Sequence, residues 1–305
     1  MTLRRSALSL HLLLLVACWV ACSAACSGAS PPVPTGAADM AHVPDPLIVA
    51  RPYQSHAPGN YDPTKSYPLV ILLHGYGVNG ITQDLYWAMD AASDEKRFLL
   101  AYPDGTKDMR GSRFWNATDN CCNFDNLPVD DVAYLDAVIA DMSALYNVDA
   151  KRIYVTGHSN GGYMSYRYAC ERADKIAAAV ILAGLMWKDV TKCPAKGRVA
   201  IAHVHGDMDM SVPYNGGANA PSAMQSVADW ARIDGCTGTL GAATTLDLDD
   251  KLPGAETTVQ KWSACPATVG DSAAELWTIQ GAGHVPSFTS TWAPTISDWM
   301  LSHHK

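Results

Sequence analysis

The chain has 305 residues, of which 48% are hydrophobic and 17% charged, and its formal net charge is −8 at pH 7. This apolar content is ordinary for a globular protein and is enough for a sizeable core. The acidic balance, with no run of Lys or Arg after residue 5, argues against nucleic acid as a partner.

The N-terminal residues predict export. Two arginines precede the apolar run 6–17, which is too short to span a bilayer, and residues 1–17 therefore have the layout of a secretory signal. Residues 15–18 also resemble a lipobox, in which Cys18 would carry a lipid anchor. Cleavage near Ala24 without a lipid is the alternative, so an outer-membrane-anchored lipoprotein and a freely secreted protein both remain open.

The remainder divides into a tether and one domain. Residues 18–46 are rich in Pro, Ser and Ala and cannot bury much surface, so we predict a flexible tether there. From Leu47 to Lys305 we predict a single catalytic domain without internal repeats. No later stretch approaches about 18 uninterrupted apolar residues, so no transmembrane helix is expected.

Within this domain, short apolar runs typical of buried strands alternate with segments of helical periodicity. The predicted strands are Pro68–Leu73, Phe98–Tyr102, Arg152–Thr156, Ala177–Leu182, Val199–Val204 and Leu276–Ile279. The predicted helices are Asp131–Tyr146, Asn160–Cys170, Ser222–Ile233 and Trp292–Ser302. The alternation predicts an α/β fold with a mainly parallel central sheet and helices on both faces. Reactive groups of such folds lie at the carboxyl ends of the strands.

A candidate nucleophile follows the third predicted strand. Residues 157–161 read GHSNG, a G-x-S-x-G pattern between a strand and a helix. This context is what a nucleophile elbow requires, because the tight turn projects the serine Oγ over the sheet edge. We therefore predict Ser159 as the nucleophile, against the alternative of a glycine-rich turn with a capping serine.

A serine hydroxyl needs a base, and the base needs an orienting carboxylate. In this fold the chain order is Ser, then the acid, then His. The loop after the strand VAIAHV offers Asp207 and Asp209, and the residues alone leave both open. His284 lies in a glycine-flanked loop after the last predicted strand and is the candidate base.

The oxyanion of the tetrahedral intermediate needs hydrogen-bond donors. The residue after the nucleophile, Asn160, supplies one backbone N–H. The second is expected from the loop after an early strand, where HGYG occupies residues 74–77, and we assign it to the N–H of Tyr76. An ordinary strand-to-helix loop is the alternative.

Several motifs together resemble the extracellular feruloyl esterase and polyhydroxybutyrate depolymerase-like group of α/β-hydrolases, which is related to the carbohydrate esterases. The matching pieces are LLHGYGVNG (72–80), YPDG (102–105), Trp115 with the following Cys pair, DDV (130–132), RIYVTGHSNGG (152–162), HGDMDMSVPY (205–214) and GAGH (281–284). The resemblance implies the α/β-hydrolase fold, Asp209 as the acid and a disulfide between Cys236 and Cys265. Many members follow the catalytic His with Trp-Pro, whereas Val285-Pro286 stands here, which leaves the substrate open.

Aromatic side chains near these motifs are candidates for the pocket wall, with core or surface packing as the alternative for each. They are Trp115, Trp187, Tyr214 and Phe288.

Cysteine content also fits export. The chain has nine cysteines, and six lie beyond the signal region: Cys121, Cys122, Cys170, Cys193, Cys236 and Cys265. An even number in an exported protein predicts disulfides, and we expect the adjacent Cys121 and Cys122 to have different partners. No CxxC or Cys/His cluster supports zinc, so no metal is predicted.

Together these features predict a monomeric, exported serine carboxylic-ester hydrolase that needs no cofactor. Its ester substrate is expected to derive from a polymer, either feruloyl or acetyl esters of plant polysaccharide or a polyhydroxybutyrate-type polyester. The alternatives are a serine peptidase of the prolyl-oligopeptidase type and a non-catalytic binding lipoprotein on a hydrolase scaffold.

Overall fold

The computed structural model describes residues 42–266 and 274–305. The predicted secretory signal, Cys18 and most of the predicted tether lie outside these residues. The first described residue already packs on the domain, because His42 Nε2 lies 2.6 Å from the carboxylate of Asp141. The predicted domain start, Leu47, falls inside the first helix.

Eleven strands and seven α-helices make up the described part of the chain. The strands are β1 Gln54–His56, β2 Tyr67–Leu73, β3 Leu99–Tyr102, β4 Thr106–Lys107, β5 Arg113–Phe114, β6 Val148–His158, β7 Ala178–Leu182, β8 Ala200–Gly206, β9 Thr244–Leu246, β10 Thr257–Lys261 and β11 Ala274–Ile279. The helices are α1 Pro46–Ala50, α2 Gly80–Trp87, α3 Met89–Lys96, α4 Asp131–Leu145, α5 Asn160–Glu171, α6 Ala223–Ile233 and α7 Trp292–Leu301, with a 3₁₀ turn at Val190–Lys192.

Nine strands form one sheet in the order β1-β3-β2-β6-β7-β8-β11-β10-β9. Its six central strands, from β3 to β11, are all parallel. Antiparallel strands close both edges, β1 on one side and β10 with β9 on the other. The predicted mainly parallel sheet is therefore confirmed.

Helices cover both faces of the sheet. Strand β2 is completely buried, and its alternate residues enter two different apolar cores: Leu69 and Ile71 join one, Val70 and Leu72 the other. The first core includes residues of α1, α4, α5 and α6. The second includes residues of α2, α3 and α7. This three-layer arrangement is the predicted α/β architecture, and it explains why the central strands read as continuous apolar runs.

Three disulfides occur in the described residues. Cys170 is joined to Cys193, and Cys236 to Cys265, the pair that the resemblance implies. The prediction of separate partners for Cys121 and Cys122 is wrong, because the structure joins them to each other. The other four described cysteines pair among themselves, which leaves these two neighbours as mutual partners.

No helix within residues 42–266 and 274–305 is both long and apolar enough to cross a bilayer.

Candidate active site

Four parallel strands deliver the predicted site residues to one edge of the sheet. The register pairs Leu73 of β2 with Gly157 of β6, and Ile279 of β11 with Gly206 of β8. Because the strands are parallel and in this register, the loops that follow them emerge at the same edge. These loops contain the predicted oxyanion residues, the nucleophile, the acid and the base.

Ser159 lies in a strained turn between β6 and α5. Its backbone has φ 56° and ψ −119°, a left-handed conformation that costs a side-chain-bearing residue energy. Its N–H donates to the carbonyl of Leu182 at 2.8 Å, which ties the turn to β7. A β-carbon on Gly157 would overlap the backbone of Gly161, and one on Gly161 would overlap the carbonyl of Leu73. Both glycines are therefore required by close backbone contacts, as the elbow prediction assumed.

The structure brings the predicted nucleophile, base and acid into one hydrogen-bonded chain. His284 Nε2 lies 2.9 Å from Ser159 Oγ, and His284 Nδ1 lies 2.7 Å from Asp209 Oδ2. The competing acid, Asp207, is exposed and accepts a hydrogen bond from the N–H of Gly281 at 2.7 Å. Of the two acids, Asp209 is therefore the one that contacts the base.

Asp209 is buried, and donors surround its carboxylate. Oδ1 accepts from the N–H groups of Ser211 and Val212, both at 2.8 Å, and His205 Nε2 lies 3.2 Å from Oδ2. Burial by itself would raise the pKa of Asp209, but the hydrogen bonds from His205, His284 and Val212 hold it well below its ordinary value. The carboxylate is therefore ionised at any pH at which His284 could act as a base.

A second histidine, His158, supports the loop of His284. Its Nε2–H donates to the carbonyl of His284 at 2.8 Å, and the two rings lie 4.9 Å apart. Burial and the neighbouring His284 lower the pKa of His158 to about 4, so it stays neutral and keeps this hydrogen bond near neutral pH. Its place beside the nucleophile in the sequence did not reveal this contact, because the partner is 126 positions away.

The predicted oxyanion donors lie at the ends of two adjacent strands. Neither the N–H of Tyr76 nor that of Asn160 donates to a protein acceptor in the part of the chain that the structure describes. A β-carbon on Gly75 would be 3.6 Å from Ser159 Cβ, so the loop passes beside the nucleophile. Two unpaired N–H groups beside a serine Oγ are what oxyanion stabilisation requires.

His74 fixes the shape of the loop 74–77, which carries the predicted donor Tyr76 and is called the oxyanion loop below. Its Nδ1–H donates to the carbonyl of Gly75 at 2.7 Å, and its Nε2 accepts from the N–H of Gly105 at 2.8 Å. Burial lowers the pKa of His74 to about 4, which keeps the ring in the neutral form that this pair of bonds needs. His74 was predicted only as part of the loop motif.

Trp115, a predicted pocket residue, does not line a pocket. It is fully buried, and its indole N–H donates to the carbonyl of His74 at 3.0 Å. Its backbone N–H and carbonyl both pair with the side-chain amide of Asn160, at 2.7 and 3.0 Å. The residue therefore supports the oxyanion loop and the nucleophile turn from below, and it cannot contact a substrate. Trp187 is also buried in the core.

The other two predicted pocket aromatics are half-buried. Tyr214 shares a hydrogen bond with Thr278, and its ring is nearly perpendicular to that of His205, with centroids 5.6 Å apart. Phe288 stacks on Trp292 with ring centroids 3.8 Å apart. A pocket role for these two stays a prediction.

Exposed apolar side chains surround the site on the loops after the strands. Met208 and Met210 flank the acid, and Val285 follows His284; all three are more than 60% exposed. On the side of the oxyanion loop, Phe124 is 59% exposed, and its ring lies 5.5 Å from that of Tyr76. Sequence patterns missed these residues because each is a single apolar side chain in a polar loop.

Phe124 belongs to an asparagine-rich loop that encloses a cavity of about 290 Å³. Four asparagines, Asn116, Asn120, Asn123 and Asn126, line it together with Cys121 and Cys122. The amide nitrogen of Asn120 is buried and has no protein acceptor in the described chain. This loop, residues 116–126, begins beside Trp115 and reaches Tyr76, so it borders the candidate site.

No group of three or more His, Cys, Asp or Glu side chains within residues 42–266 and 274–305 is arranged to hold a metal ion.

Comparisons with known proteins agree with this architecture. The family model described as Phospholipase/Carboxylesterase matches residues 128–238. Feruloyl esterase B of Piromyces equi is 30% identical over 198 residues, which cover 61% of this chain and 33% of that protein. Feruloyl esterase C of Emericella nidulans is 28% identical over 186 residues, covering 59% of this chain and 62% of that protein. The chain thus spans less than two thirds of the length of both relatives.

Among solved structures, an acetyl xylan esterase from Aspergillus awamori superposes with a TM-score of 0.61 at 14% identity. The match covers 81% of this chain and 92% of that one, and at this identity it shows the fold alone. The chain has the α/β-hydrolase fold, and its predicted resemblance to feruloyl esterases is confirmed.

Proposed function

We propose that this α/β-hydrolase is an exported serine carboxylic-ester hydrolase with Ser159, His284 and Asp209 as its catalytic triad. The observation that supports the proposal is the continuous chain from Ser159 Oγ through both ring nitrogens of His284 to Asp209 Oδ2, with contacts of 2.9 and 2.7 Å. A serine, a base and an oriented carboxylate in this geometry are what nucleophilic acyl transfer requires.

In the acylation step, Ser159 Oγ attacks the ester carbonyl carbon while His284 Nε2 accepts the hydroxyl proton. Asp209 holds the imidazole through Nδ1 and stabilises the imidazolium that forms. The N–H groups of Tyr76 and Asn160 stabilise the oxyanion. When the tetrahedral intermediate collapses, the bond to the alcohol oxygen breaks, and His284 gives its proton to the leaving alcohol.

Deacylation repeats these steps with water in place of the serine. His284 removes a proton from water, the hydroxide oxygen attacks the acyl carbon, and the second intermediate releases the carboxylic acid. The proton returns from His284 to Ser159 Oγ. Each group thus ends in its starting state, and the cycle needs no cofactor.

Export is supported by the signal-like residues 1–17 and by three disulfides in the described chain. Disulfides of this number are typical of oxidising compartments. The same proposal includes a monomeric state and export either as a lipoprotein anchored at Cys18 or as a freely secreted protein.

We favour an ester of a plant polysaccharide as the substrate over a polyester. Phe124 has a largely exposed ring beside Tyr76, and Asn126 of the same loop, 116–126, is an exposed amide that lines the adjoining cavity. Aromatic rings pack on the apolar faces of sugars, and amides hydrogen bond with hydroxyl groups, whereas an aliphatic polyester offers no hydroxyl donors along its chain.

The experiment that tests this function measures kcat/KM on methyl ferulate, on a feruloylated oligosaccharide and on a 3-hydroxybutyrate oligomer, with Ser159→Ala as the blank. We expect ferulate release to exceed oligomer cleavage. Faster cleavage of the oligomer would instead make the protein a polyester depolymerase. No turnover of any ester above the blank would contradict the proposed function.

Replacing Phe124 with Ala tests the sugar side of the substrate. Loss of one aromatic stacking contact is expected to lower kcat/KM on the feruloylated oligosaccharide about 3- to 10-fold. On methyl ferulate, which has no sugar, the change should stay within about twofold. Leu145→Ala is the control, because Leu145 is exposed near the opposite edge of the sheet. Equal losses on both substrates would refute a role in sugar recognition.

A further inference from the structure

A buried chain of hydrogen bonds reaches the catalytic acid from the core. The hydroxyl of Tyr166 on α5 lies 2.9 Å from His203 Nδ1, and His203 Nε2 lies 3.1 Å from His205 Nδ1. His205 Nε2 is 2.8 Å from the carbonyl oxygen of Val212 and 3.2 Å from Asp209 Oδ2. All three residues of the chain are 0% exposed.

The acceptors at its end determine the direction of this chain. The carbonyl of Val212 and the carboxylate of Asp209 can only accept, so Nε2 of His205 carries a hydrogen. Burial lowers the pKa of His203 well below its ordinary value, so its ring is neutral and has a single N–H. In the neutral arrangement Tyr166 donates to His203, His203 Nε2–H donates to His205 Nδ1, and His205 Nε2–H donates to the carbonyl of Val212, with Asp209 Oδ2 3.2 Å from the same nitrogen. Every polar atom of the chain then has a partner.

We propose that His205, oriented by His203 and Tyr166, is a positioning residue for Asp209. Its Nε2–H donates to the carbonyl of Val212 and lies 3.2 Å from Asp209 Oδ2, while the N–H of Val212 donates to Asp209 Oδ1. The ring thus fixes the carboxylate in the orientation in which it accepts from His284. This inference rests on the proposed triad. At the positions of His203 and His205 on β8, apolar side chains would pack without the cost of burying polar groups. The buried polar chain that stands there instead ends at the carboxylate of Asp209, which points to a role in holding that group.

The proposal has a consequence for the dependence of the rate on pH. The acid limb of the profile reports protonation of the catalytic base, His284. Each hydrogen bond to Asp209 disperses its charge, so without the N–H of His205 the carboxylate stabilises the imidazolium of His284 more strongly. Loss of this donor therefore moves the acid limb to higher pH.

Other titratable groups face this chain of hydrogen bonds, and they are the same in the wild type and in the variants at position 205. His158 lies against His284, Tyr214 against His205, and Tyr163 and Asp229 near Asp209 and Tyr166 respectively. None of them is changed by substitution at position 205.

Two amide substitutions separate positioning from packing. In His205→Gln the amide N–H reaches about as far as ring Nε2, whereas in His205→Asn the side chain is one methylene shorter and ends near the place of Nδ1. We expect His205→Asn to move the acid limb of the pH–rate profile upward by at least about 0.5 pH unit and to lower the maximal rate of that profile about tenfold. Gln should keep the limb within about 0.2 unit of wild type.

The readout is the second-order rate at which a fluorophosphonate labels Ser159 across pH, with active sites counted by the final extent of labelling. This rate needs no ester substrate, so a protein that labels but cleaves no ester contradicts the proposed function and leaves the positioning role measurable. A wild-type Ser159 that does not label contradicts both.

A lower plateau with an unmoved acid limb in His205→Asn would mean that the residue is only structural, and it would overturn the proposal. If His205→Asn does not fold, Tyr166→Phe decides, because it leaves His205 in place and removes the group that orders the chain. In Tyr166→Phe the acid limb of the pH–rate profile should also move to higher pH, by a smaller amount. An unmoved acid limb in this variant overturns the proposal.

Discussion

Ser159→Ala is expected to lower kcat on any ester substrate by roughly four to six orders of magnitude, while the protein stays folded. The substitution removes the attacking oxygen but keeps the β-carbon, so the strain of the turn at φ 56° is unchanged. The remaining rate comes from the N–H groups of Tyr76 and Asn160, which still stabilise an oxyanion formed by water. Steady-state turnover and fluorophosphonate labelling should both be lost.

A matched serine controls for this effect. Ser143 is exposed on α4, and its hydroxyl only donates to the carbonyl of Ile139 within the same helix. Ser143→Ala should keep full labelling and turnover, and both variants should melt within about 3 °C of wild type. A Ser159→Ala protein that is folded and within tenfold of wild type would remove Ser159 from the mechanism.

Asp209→Asn is expected to lower kcat about 10⁴-fold, whereas Asp207→Asn should change it by less than about twofold. An amide in place of the buried carboxylate no longer stabilises the imidazolium, and its NH₂ group favours the wrong tautomer of His284. Asp207 is exposed, and an asparagine there still offers an oxygen to the N–H of Gly281. Measuring kcat of both variants over a range of pH checks the expectation.

The two acids are two positions apart in one loop, so each variant is the control for the other. A large loss in Asp207→Asn with a small loss in Asp209→Asn would reverse the assignment of the acid. Equal small losses would mean that His284 works without a carboxylate, and the triad would be wrong.

Much of the fold could be predicted because its central strands are buried on both faces. Runs such as the one in β2 and the one in β7 are apolar throughout, and they contrast sharply with the helical spacing of α4. The edge strands β1 and β9 were not predicted, since they are three residues long and mostly exposed and therefore lack an apolar pattern. Helices α2 and α3 have eight residues each and meet at Ala88, so neither is long enough for its helical periodicity to stand out in the sequence.

The candidate site, like the fold, could be predicted only in part. Ser159 and His284 were predicted because local glycine patterns and chain order mark them, and the resemblance selected Asp209 over Asp207. The support of the site could not be predicted in this way. The pairing of Asn160 with Trp115 joins residues 45 positions apart, and the bond from His158 to the loop of His284 spans 126. Such contacts depend on which strands become neighbours in the sheet, and no local pattern records that.

Gly161 has a further consequence for how this protein can change over evolutionary time. Any β-carbon there would overlap the carbonyls of Leu73 and His74, so the start of α5 and the strand leading to the oxyanion loop touch backbone to backbone. The spacing between Ser159 Oγ and the proposed oxyanion donors is therefore set by backbone contacts and does not depend on the surrounding side chains. New ester preferences can arise in the exposed residues of the surrounding loops, at Phe124, Met208 or Val285, without disturbing the reaction itself.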